Sequence, residues 1–243
     1  MKTIAYTMVQ NDMKMLELWA RYYSKYFDNL YVVCWNTKPK YKPYLDKLSK
    51  KYRMEYDDMG SEEEIIRYGN ILGTRIYLQK KQVEFLANPN EYDWVLYTNV
   101  DEILAPNKRY KNLKDLMKRS SRNWIACGGY EVIQVDGEGP IDYSRPYFKQ
   151  RKYWIKNPNY NKILLSKVPL DWVNGMHKLA QMTDNESTGS KNTGLYLIHL
   201  KHADLNPKRK RDFGPYRTNL DPNIMEHWLD RKRKIPEYIR RLI

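Results

Sequence analysis

Trp94-Val95-Leu96-Tyr97-Thr98-Asn99-Val100-Asp101-Glu102-Ile103-Leu104 is the stretch on which the reading of this chain turns. A run of β-prone apolar residues breaks into Asn-Val-Asp-Glu and resumes as Ile-Leu-Ala-Pro. Strands of α/β domains are buried and apolar, and ligands collect at their carboxyl ends. Alternation carried through the break predicts the side chains of Asn99 and Asp101 on one face and that of Glu102 on the other. Two oxygen-bearing side chains at a strand tip suit a hard divalent cation, which keeps waters and takes substrate phosphates as further ligands. Asn and Asp are also ordinary turn residues, so the pair alone does not separate a metal site from a capped strand end.

The surrounding sequence supplies the context. Upstream, Thr3–Val9 reads as a strand, and Met13 to Tyr26 carries helical spacing with Asp12 as its N-cap. Leu30–Trp35 is a second buried strand, Tyr41–Lys51 a basic helix, and Tyr52–Tyr56 a short third strand finishing in Asp57-Asp58. Ser61-Glu62-Glu63-Glu64 resembles a capping box and opens a helix expected to run to Leu86 with a break near Gly69 or Gly73. The β-α-β-α-β-α-β alternation predicts an α/β fold with a mostly parallel sheet and helices on both faces. Downstream come a helix near Leu113–Arg119 and strands at Trp124–Gly129, Ile163–Leu165, Lys178–Met182 and Leu195–Leu200, punctuated by glycine and proline. The expected organisation is a front half over 1–105, a mixed β half over 106–204, and a basic helical extension over 205–243.

Composition narrows the function classes. The chain has 243 residues and a net charge of +14, which favours polyanionic or phosphorylated partners. Its 22 Tyr and 7 Trp suit sites that stack on rings and hydrogen-bond hydroxyls, although Tyr is equally a sheet residue. Residues 201–243 hold twelve Lys or Arg against six Asp or Glu, so a peripheral contact with anionic membrane is expected there. Zinc-finger spacing and RNP-type runs are missing, which argues against nucleic acid as a partner. Cys34 and Cys127 lie in strand-like runs and read as buried thiols. The N-terminus enters a strand pattern without a signal-peptide core, and no run approaches about 18 apolar residues, so a cytoplasmic, soluble protein is expected.

Gln10-Asn11-Asp12 is not a Gly-x-Gly-x-x-Gly loop, and no Gly-x-x-x-x-Gly-Lys run exists, which excludes the usual dinucleotide and P-loop signatures. What remains resembles the GT-A class of nucleotide-sugar glycosyltransferases, and more closely its family-2-like group with an Asp-x-Asp-Glu motif. The matching pieces, in order, begin with Gln10-Asn11-Asp12 and Leu18-Trp19-Ala20-Arg21-Tyr22-Tyr23, then Asn99-Val100-Asp101-Glu102-Ile103-Leu104 and Gly129-Tyr130-Glu131-Val132. They continue with Gln150-Arg151-Lys152-Tyr153-Trp154, Trp172-Val173-Asn174-Gly175-Met176-His177-Lys178 and Leu197-Ile198-His199-Leu200. The chain departs from the pattern at Asn99, where the group has Asp, and at Lys201-His202-Ala203-Asp204.

The resemblance implies a GT-A fold and metal-assisted chemistry, leaning towards inversion, in which a sugar passes from a nucleotide donor to a glycan, lipid-linked or protein acceptor. It implies Mn²⁺ or Mg²⁺ held chiefly by Asp101, with Asn99, His177 and His199 as further ligand candidates. Asn11, Asp57 and Asp58 are candidates for the donor's base and ribose, Asn99 also for the ribose, and Lys178 for a phosphate. Glu102 is expected to brace the turn. An inverting transfer needs a carboxylate base for the acceptor hydroxyl, with Glu131 first and Asp136 second; both are expected in loops. Aromatics between Tyr143 and Trp172 offer a sugar-stacking platform or plain packing. A catalytically degenerate binding protein, a nucleotidyltransferase and a basic nucleic-acid binder are the competing readings.

Overall fold

A computed structural model describes residues 1–35, 37–59, 71–87, 91–173, 178–180, 194–201, 203 and 231–241, with the side chains of 58, 59 and 71–75 excepted. The first half follows the predicted alternation. Strands β1 (Thr3–Val9), β2 (Asn29–Trp35), β3 (Met54–Met59) and β4 (Trp94–Tyr97) alternate with helices α1 (Met13–Tyr23), α2 (Lys42–Tyr52) and α3 (Ile71–Ala87). The four strands pair in parallel in the order β3-β2-β1-β4, so the chain reverses its direction of travel across the sheet between β1 and β4. Such a reversal opens a crevice at the strands' carboxyl ends.

The helices flank this sheet as alternation requires. Tyr6 and Tyr97 sit side by side on one face, where the Tyr6 hydroxyl donates to the Leu78 carbonyl of α3 at 2.8 Å. Thr98, one residue further on, faces the other way and accepts from the Trp19 indole of α1 at 2.7 Å. Asp12 caps α1 by accepting from the Met15 amide. Helix α3 runs unbroken through Gly73, while Gly69, the other position expected to break it, and the Ser61–Glu64 opening lie outside the described residues. One glycine costs about 1 kcal/mol in a helix, which packing of Leu78 and the fully buried Gln82 against the sheet offsets. Strand β3 is longer than expected and runs through Asp57 and Asp58, paired with Val33 and Cys34. The two aspartates are therefore strand residues rather than turn residues.

Beyond β4 the sheet becomes mixed. The remaining elements are β5 (Glu102–Pro106), α4 (Leu113–Arg119), β6 (Trp124–Ile133), β7 (Tyr153–Lys156), β8 (Lys162–Ser166), β9 (Trp172–Val173), β10 (Lys178–Leu179), β11 (Leu195–His199), β12 (Arg233–Lys234) and α5 (Glu237–Arg240). Strand β8 lies antiparallel between β4 and β6, and β11 runs parallel to β6 and antiparallel to β5. The predicted strand at Trp124–Gly129 continues to Ile133 and takes in Glu131. Its glycine pair does not end it, because Gly129 meets a close neighbour: a Cβ there would lie 2.5 Å from the Asn157 carbonyl and 2.6 Å from Tyr160 backbone. Gly129→Ala should destabilise the fold by about 1–3 kcal/mol through overpacking. A denaturant midpoint equal to that of the wild type would contradict this.

Residues 231–241 belong to the same body rather than lying free. Arg233 and Lys234 pair with Trp154 and Tyr153, and Ile235 and Ile239 are buried. Most of the basic stretch expected to touch a membrane, including Ile224–Asp230, lies outside the described residues. Among the described residues no helix is long and apolar enough to cross a membrane. Both cysteines are buried thiols, and burial pushes the Cys127 pKa up to about 12, which keeps it inert.

Candidate active site

The carboxyl ends of β1 and β4 lie side by side where the strand order reverses, and the segment after β4 is held by the polar tips of aromatic side chains from α1. Besides the Trp19–Thr98 bond, the Tyr22 hydroxyl donates to the Leu104 carbonyl at 2.7 Å. The Tyr23 hydroxyl donates to the Glu102 carbonyl at 3.2 Å and accepts from the Leu104 amide at 2.8 Å. Helical spacing puts Trp19, Tyr22 and Tyr23 on one ridge, so a single helix face fixes residues 98–104. Helical spacing over Met13 to Tyr26 places these aromatics on the helix but gives no sign that their polar tips hold the motif.

The motif turns sooner than alternation predicted. Strand β4 ends at Tyr97, and the Glu102 amide donates to the Asn99 carbonyl at 3.0 Å, closing a turn over Val100 and Asp101. That turn separates Asn99 from Asp101 and brings it to Glu102, a correction to the expected faces. Glu102 accepts from the Asn99 amide at 3.0 Å and from its Nδ2 at 3.1 Å, while Tyr97 donates its hydroxyl to the Asn99 Oδ1 at 2.8 Å. The expected brace by Glu102 is thus present in the geometry. A residue that sequence reading missed completes it: Lys162 of β8 donates its ammonium to Glu102 at 2.6 Å, with both side chains buried. Only the position of Lys162 at the head of an apolar strand hinted at it.

Asp101 points elsewhere. It is 3% exposed, and its Oδ2 lies 3.5 Å from His199 Nε2. Strand β11 pairs in register with β6 so that His199 sits beside Glu131, whose oxygens lie 2.8 and 3.1 Å from His199 Nδ1. The Tyr160 ring covers the imidazole at a centroid distance of 4.1 Å. Burial alone would lower the His199 pKa, but the carboxylates of Glu131 and Asp101 outweigh it and lift it to about 10. His199 therefore stands as an imidazolium between two carboxylates. A cation held at Asp101 would have this imidazole as a further ligand only in place of the proton on Nε2.

Glu131 was expected in a loop, open to an acceptor. It instead lies within β6 with no exposed surface and with both oxygens on His199, because Glu131-Val132-Ile133 keeps its strand pairing to β7. Asp136 is exposed in the turn that follows β6, next to Gly137 at a φ of 81°. Asn11, at the end of β1, has a left-handed φ of 60° and accepts from the Lys38 amide at 3.0 Å. Asp57 accepts from the Tyr31 hydroxyl and pairs with Lys81 at 3.1 Å. Lys178 is half-buried on the short β10. His177 and the side chain of Asp58 lie outside what is described. The aromatic platform expected between Tyr143 and Trp172 is largely core, with Tyr147, Phe148, Trp154 and Trp172 all buried.

The implied divalent cation can be weighed against these donors. Among the described residues no three His, Cys, Asp or Glu side chains group as a ligand set. The tip offers one carboxylate, Asp101, with His199 behind it. A single carboxylate completed by waters and substrate phosphates is a sufficient donor set for Mg²⁺-type binding, so the residues fit the ion in that minimal form.

No protein-family model matches the chain, and no curated protein matches it. Among solved structures it is similar to S. aureus TarS, at 15% identity over 58% of this chain and 23% of that one, with a TM-score of 0.31. A TarS structure of residues 1–349 aligns at 13% identity over 83% of this chain and 61% of that one, with a TM-score of 0.38. The same TarS segment in complex with UDP aligns at 12% identity over 69% and 47%, with a TM-score of 0.32. The chain spans less than two thirds of each of these structures. Likeness at this level carries no residue correspondence.

Proposed function

We propose that this chain is a glycosyltransferase that moves a sugar from a nucleotide-sugar donor to a glycan, lipid-linked or protein acceptor. The observation that carries the reading is the reversal of strand order between β1 and β4, with the buried carboxylate of Asp101 on the turn directly after β4, at the end of the sheet where such folds take their ligands. The donor's base and ribose lie toward Asn11 and the β3 aspartates, and its diphosphate toward Asp101, with Lys178 as a phosphate contact. Mn²⁺ or Mg²⁺ held by Asp101 would neutralise the charge that builds on the leaving nucleoside diphosphate. His199, fixed by Glu131, orients Asp101 from behind. With Glu131 committed to His199, the base that takes the acceptor's hydroxyl proton in an inverting transfer is assigned to Asp136, which is exposed.

Thermal unfolding against UDP, GDP, TDP and CMP, with and without Mn²⁺, tests the reading. One nucleotide at about 100 times its Kd should add roughly 2.7 kcal/mol, raising Tm by about 5–10 °C. The shift should need Mn²⁺ and vanish in Asp101→Ala. A chain unmoved by every nucleotide at millimolar concentration would instead be a degenerate relative or a polyanion binder.

A further inference from the structure

Asn99 departs from the Asp that the resemblance leads one to expect, and its surroundings give a reason. Its amide is held at both ends: Oδ1 accepts from the Tyr97 hydroxyl at 2.8 Å, and Nδ2 donates to Glu102 Oε1 at 3.1 Å. The same Oε1 receives the Lys162 ammonium at 2.6 Å, and Oε2 receives the Asn99 backbone amide. A carboxylate that accepts an ammonium only accepts, so the group facing it from position 99 has to be a donor. An Asp at that position, itself half-buried, would set its carboxylate against the fully buried one of Glu102 with one lysine to serve both. Glu102 is fully buried and Lys162 nearly so, which leaves little solvent to screen the encounter.

We infer that Asn99 is a positioning residue, an amide clamp that locks the turn carrying Asp101 through Glu102 and Lys162, rather than a ligand of the donor or its metal. The departure at position 99 then does not weaken a ligand pair, because the side chain there faces Glu102 and Tyr97 and Asp101 is left as the charged ligand. The consequence for Asp101 rests on the donor-site reading given above. The clamp itself does not, since it is read from stability without ligand.

A double-mutant cycle on metal-free protein tests it. Asn99→Asp should lower Tm by on the order of 10 °C. In a Glu102→Gln background the same change should lower Tm by less than about 3 °C, or raise it, because the new carboxylate then faces an amide donor and the Lys162 ammonium. If Asn99→Asp alone does not fold while Asn99→Asp/Glu102→Gln does, the clamp stands. Equal losses in both backgrounds, no loss in the single variant, or failure of both variants to fold would overturn it. Mn²⁺-dependent nucleotide binding supplies the second readout, weakened in Asn99→Asp and recovered in the double variant. Tighter binding in Asn99→Asp at unchanged Tm would make position 99 a ligand position and also overturn the clamp. If the wild type binds no nucleotide, the donor reading fails, and the Tm cycle still decides the clamp.

Discussion

Replacing His199 with alanine is expected to destabilise the protein by about 3–5 kcal/mol, the cost of leaving a buried charge without its partner. The carboxylates of Glu131 and Asp101, both nearly or fully buried, face the imidazole from opposite sides. Without it they are two anions in one pocket. For a chain of this size the loss corresponds to a fall in Tm of on the order of 10 °C. The pH dependence carries a sign. The folded-state pKa, about 10, lies above the ordinary 6.5, so the folded protein holds the His199 proton more tightly than the unfolded chain. The stabilisation is complete below pH 6.5 and is withdrawn as pH rises through about 10. The difference in unfolding free energy between wild type and His199→Ala, measured by urea titration in metal-free buffer, should therefore shrink across that range. A variant as stable as the wild type, or a difference constant from pH 6.5 to 10, would contradict the arrangement.

Lys162→Met is expected to cost a similar amount, about 3–5 kcal/mol, because Glu102 then keeps a buried charge with no cation opposite. Methionine approximates the length of the lysine stem, so packing changes little and the effect isolates the ion pair. Removing both charges in Glu102→Gln/Lys162→Met should recover part of the loss, since replacing a buried pair together is commonly close to neutral. The urea midpoint should fall in the single variant and rise again in the double, with the m-value unchanged. A single variant with a wild-type midpoint would mean that the pair does not hold the turn.

Much of the frame was legible in the sequence. The first four strands, α1 with its Asp12 cap, and the apolar run into the motif follow from periodicity and capping chemistry. The motif's geometry was not legible, because alternation holds only while the chain stays extended, and here it ends at Tyr97. Glu131 was misplaced for a related reason. A Gly-Gly pair normally weakens a strand, yet here the space above Gly129 is filled by the backbone of 157–160. Lys162 gave almost no signal, since a lysine at the head of a strand is ordinarily solvated. The pairing of His199 with Glu131 depends on the register of β11 against β6, strands separated by more than 60 residues of chain, and no local pattern encodes that register.

Everything proposed for the donor site depends on Asp101 being the charged group through which a metal holds the nucleotide. Calorimetric titration of a nucleoside diphosphate into wild type and Asp101→Asn, each with Mn²⁺ and with EDTA, addresses that dependence. Binding to the wild type should occur only with Mn²⁺, and should weaken at least about 100-fold, or roughly 2.7 kcal/mol, in Asp101→Asn. Binding of equal strength in EDTA, or in the variant, would rule out a metal-bridged donor at Asp101.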